Sequence, residues 1–275
     1  MDIDPQMAQM VAAYIEATKD KYESRFDEPH AFASDALDCS RKIGFRIAEI
    51  PASNPIDTTG EFAMAIGRYI HDMAQGALIM RDRRWKAEQE WGLLDRVSGR
   101  GDVYHTGSNI VGEIKSMAPY AYDLAVTGVR KGLPEGVKAE HRIQALINAI
   151  GLDSEEMPVD TIEVRYVNKA ATQGKTVFAT HTEPFNIGNR AEADVEMKRL
   201  RSIVETVEEG TLPKRNFQGK DVTNPLDMKN WKWPCGYCRY QTLCGKLPTG
   251  RVEVSQSDEL QAAMIYGQEE QTDAD

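Results

Sequence analysis

Long apolar runs are missing from this 275-residue chain. No stretch approaches the ~20 residues that a bilayer-spanning helix needs, so no membrane association is expected. The opening residues, Met1-Asp2-Ile3-Asp4-Pro5, lack the basic-then-apolar layout of a secretory leader, which makes the cytoplasm the expected compartment. A G-x4-G-K-[ST] phosphate loop is also missing, which argues against an ATP-driven motor within these residues. Excess positive charge is missing too: the net charge is −10, a balance that disfavours a broad phosphate-binding surface. Seven of those ten charges come from the stretch after Arg251, which holds seven acids and no base. The locally basic runs Arg81-Asp82-Arg83-Arg84-Trp85-Lys86 and Lys198-Arg199-Leu200-Arg201 read most simply as solvated helix faces, so charge leaves the partner class open. Cysteine is scarce, with four residues, and in a reducing compartment clustered thiols suggest metal more than disulfide. What is present, 41% hydrophobic and 28% charged residues, suffices for a sizeable buried core.

Periodicity divides the chain into elements. Residues 5–24 place Met7, Met10, Val11, Tyr14 and Ile15 at helical spacing. A second helix is expected over about 60–83, with a stripe of Phe62, Ile66, Ile70, Met73 and Ala77. The period then changes to two over 86–94, 99–105 and 110–116, the last two joined by the hairpin signal Thr106-Gly107-Ser108-Asn109. Helices are expected at 119–127 and 136–150. A second hairpin is expected at 159–168 and 176–185, turning through Ala171-Thr172-Gln173-Gly174. A long helix over 188–209 ends at Gly210, a suitable C-terminal cap. Residues 252–275 read as an acidic, mobile tail behind a single domain, 1–251. This order predicts an α/β fold, a central mixed sheet flanked by helices.

The first hairpin carries the chemistry. A loop centred on Gly107-Ser108 pairs His105 with Ile110, Tyr104 with Val111 and Asp102 with Glu113. Lys115, two residues beyond Glu113, returns to the same face, while Val103, Gly112 and Ile114 point the other way. Two opposed carboxylates repel unless compensated, and a divalent cation such as Mg²⁺ or Mn²⁺ resolves that conflict. The lysine can then orient a water aimed at phosphorus. On spacing alone a surface hairpin with a simple Glu113–Lys115 pair competes about evenly with this reading.

Gly101-Asp102 followed by Glu113-Ile114-Lys115 resembles the PD-(D/E)XK nuclease signature in its RecB-like form. That resemblance implies a restriction-endonuclease-like core. It also implies a histidine from a G-x-x-x-H helix, matched by Gly67 to His71, and the main-chain carbonyl of Ile114 as a further metal ligand beside His71, Asp102 and Glu113. Its Q-x-x-x-Y helix is matched by Gln144, expected near the scissile phosphate, whereas Asn148 stands where the family has tyrosine. Glu88 or Glu90 is a further supporting candidate.

The last three cysteines form C-x2-C-x5-C at Cys235, Cys238 and Cys244, flanked by Trp231, Trp233, Tyr237 and Tyr240; Cys39 lies nearly two hundred residues upstream. Four thiolates suit zinc or an iron–sulfur cluster. The one-plus-three arrangement is similar to the iron–sulfur branch of RecB-like nucleases, AddB and the CRISPR-associated Cas-four exonucleases. It implies a 4Fe–4S cluster on Cys39, Cys235, Cys238 and Cys244, stapling a subdomain of residues 35–58 and 211–248, with zinc as the alternative.

The function these features imply is a metal-dependent DNA exonuclease acting on single strands or ends, with 5′ to 3′ polarity implied by the resemblance alone. A helicase, recombination or CRISPR-type partner would supply open ends. The competing readings are a non-catalytic DNA-binding or assembly module and a nuclease trimming DNA ends inside an integration complex.

Overall fold

A computed structural model describes residue 13 and residues 26–56, 58–127, 137–170, 177–215, 235 and 238–260. Apart from residue 13, the expected helix at 5–24 lies outside the described residues, as do the turn at 171–174 and the aromatics Trp231, Trp233 and Tyr237.

The chain enters through β1 (Ala31–Phe32), a short 3-10 turn (Ala33–Asp35) and α1 (Ser40–Ile47), followed by the long α2 (Thr58–Arg81). Three strands follow, β2 (Trp85–Leu94), β3 (Val97–His105) and β4 (Ile110–Met117). Next come α3 (Pro119–Thr127), α4 (Ala139–Ser154), β5 (Thr161–Asn168), β6 (Phe178–Pro184) and α5 (Ile187–Glu208). The last elements are β7 (Thr211–Leu212), α6 (Gln241–Lys246) and β8 (Val252–Glu253). The main sheet is mixed: its order is β1-β3-β4-β5-β6 with β2 also on β3, and β1–β3 and β4–β5 are parallel. Helices cover both faces, the α/β layering expected from the sequence.

On one face lies α4, with Leu146, Ile147, Ala149 and Leu152 almost wholly buried under α5 and against the sheet. Its packing depends on a glycine. A Cβ at Gly151 would come 2.0 Å from the Trp91 indole, so only glycine lets β2 and α4 close on each other. On the other face α2 packs Ile70, Ala74 and Leu78 against Trp85, Val103, Ile114 and Val167. The expected stripe is therefore displaced. Ile70 belongs to the packed face, whereas Phe62, Ile66 and Met73 are 42%, 37% and 52% exposed. The packed stripe steps from 70 to 74 and 78, and beside it the polar Gln75 is buried because its amide bonds Glu88 and the Asp102 carbonyl. Apolar count alone could not find that face.

A second, smaller core joins the two ends of the described chain. Phe45 and Ile50 pack with Leu212, Tyr240, Leu243, Cys244, Leu247 and Val252. The expected tail boundary at 251–252 falls within this unit. Val252 pairs with Leu212 in a β7–β8 ladder, residues 254–260 are helical, and Val254 and Leu260 pack on the small core. The run of acids had hidden these apolar anchors. At the end of α5, Gly210 adopts φ +78°, as a cap in the left-handed region requires. Among the described residues no helix is long and apolar enough to cross a membrane.

Candidate active site and cysteine cavity

The β3–β4 ladder keeps the expected register, His105 with Ile110, Tyr104 with Val111 and Val103 with Gly112, and ends there. Asp102 and Glu113 are thus not a ladder pair, as the sequence had suggested. Instead the Asp102 carboxylate takes over the strand's role: its Oδ2 accepts the Ile114 N–H at 2.6 Å. A side chain that replaces a ladder bond is fixed as firmly as backbone, and it frees the neighbouring strand positions to face a cavity.

Glu113 is 1% exposed. Its Oε1 lies 2.6 Å from Lys115 Nζ, and its Oε2 accepts from Asn148 Nδ2 at 3.3 Å. Lys115 Nζ also donates to Gln144 Oε1 at 2.9 Å, so Gln144 holds the lysine within the site. From α2, His71 places Nδ1 3.7 Å from Asp102 Oδ1. A Cβ at Gly67, one turn earlier, would lie 3.4 Å from Ser116 Oγ; the glycine brings α2 close to β4. His71, Asp102, Glu113, Lys115 and Gln144, with Glu88 and Arg100, line one cavity of about 580 Å³, and Asn148 lies buried behind it.

The electrostatics follow from burial. Burial and the charge of Glu88 push the Asp102 carboxyl up to about 6, against the pull of Lys115. Burial and the Asp102 charge push Glu113 up to about 7. Burial works to lower Lys115, but Glu113 and Asp102 outweigh it, so the ammonium is held above its usual range. Burial holds His71 below its ordinary value, leaving a neutral imidazole able to ligate at pH 7.

Trp91 and Gln75 escaped the sequence reading, whereas Asn148, Glu88 and Glu90 were named there without the partners they have in the structure. Trp91 Nε1 donates to Asn148 Oδ1 at 3.0 Å, so a chain Trp91–Asn148–Glu113 aims the carboxylate from below. The signal was available: Asn148 lies one helical turn after Gln144 and shares its face. Glu88 opposes Asp102 across β2–β3 with φ 53°, a left-handed conformation. Its carboxylate bonds Gln75 and lies 2.5 Å from Arg100 Nε. Glu90 is 3.8 Å from the same guanidinium. Neither periodicity nor motif could foretell that turn of Glu88.

Among the described residues no group of three or more His, Cys, Asp or Glu side chains is gathered as a formed metal site. The reason is visible in the bonding: Glu113 is tied to Lys115 and Asn148, and one Asp102 oxygen to Ile114. The donor chemistry nevertheless fits a divalent cation. Asp102 Oδ1 and His71 Nδ1 face each other at less than twice a Mg²⁺–ligand distance of ~2.1 Å, and two buried carboxylates disfavour each other without a cation.

A second cavity of about 590 Å³ abuts the first. Cys39, Cys235, Cys238 and Cys244 all line it, and Lys115 and Gln144 line both. All four cysteines are free thiols. Cys39 caps the start of α1, and Cys244 lies in α6, so the cavity is closed by residues from both ends of the described chain. Burial raises the thiols of Cys235 and Cys238 and pushes Cys244 up to about 11. The four thiols line this one cavity without being gathered into a formed metal site; as a donor set, four thiols suit a tetrathiolate metal or cluster.

No protein-family model and no curated protein sequence matches this chain. Several solved structures are similar to it. Over 88% of this chain and 98% of the other, the protein SSO0001 is 14% identical with a TM-score of 0.48. The alkaline exonuclease LHK-Exo of Laribacter hongkongensis is 12% identical over 72% of this chain and 94% of its own, with a TM-score of 0.47. A phage-related exonuclease of Haemophilus somnus 129PT is 8% identical over 75% of this chain and 84% of its own, with a TM-score of 0.37.

Proposed function

We propose that this protein is a metal-dependent DNA exonuclease of the RecB-like PD-(D/E)XK type, acting on single strands or DNA ends. The observation that carries this reading is the convergence of Asp102, Glu113, Lys115 and His71 in one cavity, a buried and a half-buried carboxylate beside an ammonium. Asp102, Glu113, His71 and the Ile114 carbonyl would hold Mg²⁺ or Mn²⁺. Such a cation supplies Lewis-acid polarisation of a phosphodiester and an attacking water.

The chain's own residues do the rest. Lys115 Nζ, fixed between Glu113 Oε1 and Gln144 Oε1, presents an N–H to the attacking water or a phosphate oxygen and offsets charge that builds there. Asn148 and Trp91 keep Glu113 from rotating away. Arg100 and Glu88 form the wall on the β2 side. A helicase or recombination partner, of CRISPR type or otherwise, would present the open strand.

We assign the second cavity to a structural 4Fe–4S cluster, with zinc the alternative, on Cys39, Cys235, Cys238 and Cys244. Brown colour with broad visible absorption in anaerobically purified protein is the expected result; a colourless protein with stoichiometric zinc would replace the cluster by zinc. For the nuclease itself, chelator-treated protein should leave a labelled single-stranded oligonucleotide intact and regain cleavage on addition of Mn²⁺. Failure of the reloaded protein on single strands, duplex ends and RNA alike would overturn the reading.

A further inference from the structure

Arg41 is fully buried, which is costly for a guanidinium unless its charge is answered. It donates to the main-chain carbonyls of Pro213 (2.8 Å), Pro248 (2.6 Å), Thr249 (3.5 Å) and Gly250. Carbonyls solvate a guanidinium without neutralising it. The anion-forming groups that face it are the sulfurs of Cys244 and Cys39.

Two more cations repeat the pattern around the same cavity. Arg215 lines the cavity with the four cysteines while its Nη2 donates to the Leu247 carbonyl at 2.8 Å. Lys42 lines it too, its Nζ 2.5 Å from Asp38 Oδ2. The three cations come from opposite ends of the described chain, as the four cysteines do. Two of them hold the very segments, 213–215 and 247–250, that close the cavity.

We propose that Arg41, Lys42 and Arg215 form a cationic collar that binds the charge of a tetrathiolate group in this cavity and locks the C-terminal segment around it. The charges balance. Four thiolates around a divalent core, zinc or an oxidised 4Fe–4S core, leave a net charge of about minus two. Three cations less the Asp38 carboxylate supply the same amount of opposite sign, and Lys115 and Glu140 on the same wall cancel each other. The collar is selective for charge: it suits a group that stays anionic when liganded and disfavours a neutral occupant. It rests on the assignment of the four cysteines to one inorganic group, and it is independent of the nuclease reading.

The test uses the full chain, reconstituted anaerobically with ferrous iron and sulfide, and in parallel loaded with zinc. Metal per chain, visible absorption and the rate of metal loss to a chelator are read for wild type, Lys42→Gln, Arg215→Gln and Arg41→Gln. Lys42 is 41% exposed at its side chain, so its substitution leaves the fold intact, and it decides the matter if Arg41→Gln does not fold. Each neutral variant is expected to lose metal about tenfold faster, the scale of second-layer effects on metal sites. In the iron form its reduction midpoint should move to more negative potential, because removing a positive charge disfavours the added electron. Lys42→Arg should restore both. Wild-type loss rates and midpoints in Lys42→Gln and Arg215→Gln would overturn the collar. A wild type that takes up neither iron nor zinc would overturn it too, together with the cysteine assignment, while leaving metal-dependent DNA cleavage to be judged on its own assay.

Discussion

The two cavities share the wall made by Lys115 and Gln144, yet they are built in opposite ways. The carboxylate site is assembled by neighbours in sequence and one buried helix. Asp102, Glu113 and Lys115 come from a single hairpin, and their partners Gln144 and Asn148 lie one turn apart on α4. Its groups bond one another, so packing alone holds it in place. The cysteine cavity is closed by residues nearly the whole chain apart. Lys42, Arg215 and four sulfurs line it, and its small core draws on α1, β7, α6 and β8. One site is held by the fold; the other, under the proposed cysteine assignment, would help hold the fold.

The largest expected effect tests that contrast. Stripping the inorganic group, or Cys244→Ser, should release the segment from residue 235 onward to protease and lower the melting temperature more than any single change in the carboxylate site. Metal ligation by thiolates is worth on the order of 10 kcal/mol of folding energy, a scale that side-chain packing changes do not reach. Equal protease resistance with and without metal would make the cysteine region as self-sufficient as the hairpin.

Next comes Gly151→Ala. The new Cβ meets the Trp91 indole at 2.0 Å, and either β2 or α4 must shift. A loss of about 1–3 kcal/mol in denaturant unfolding is expected, with Glu113 losing its alignment through Asn148. Metal uptake by the cysteines should be unchanged. A loss of cluster loading in this variant would show that the two regions are not separately supported.

The smallest effect is a pH slope. Both Asp102 and Glu113 have folded-state values raised above those of the unfolded chain, to about 6 and about 7. Their contribution is therefore fully present below about pH 4 and is lost as pH rises through 6 to 7, where ionised carboxylates are trapped in a buried site. The stabilisation gained by adding Mg²⁺ or Mn²⁺ should grow across the same window and vanish near pH 5. Thermal melts with and without cation at pH 5 and 8 read it directly. An equal gain at both values would place the cation elsewhere.

The hairpin was legible because a period of two and a four-residue loop leave few registers, and the structure keeps the expected one through Val103 and Gly112. What the sequence could not show is that the ladder stops there and that Asp102 bonds the Ile114 amide in its place. Boundaries of β4, α3 and α5 fell close to expectation, since each is marked by strong periodicity or a cap. The stripe on α2 did not, because Gln75 is buried by hydrogen bonds that no hydropathy pattern records. The β7–β8 pairing was hidden for a related reason: two-residue strands leave no period, and a string of acids masks Val252, Val254 and Leu260. Asn148 read as a departure from a motif; in the structure it is the bond between Trp91 and Glu113.

The most direct measurement is a side-by-side cleavage assay on a 3′-labelled single-stranded oligonucleotide with Mn²⁺, comparing wild type and Lys115→Ala at matched folding by circular dichroism. The expected result is processive shortening by wild type and a loss on the order of 10²–10⁴ in rate for the variant, the range for removing a positioned proton-handling group. Undiminished cleavage by Lys115→Ala, or none by folded, metal-loaded wild type, would contradict a nuclease site built on Asp102, Glu113 and Lys115.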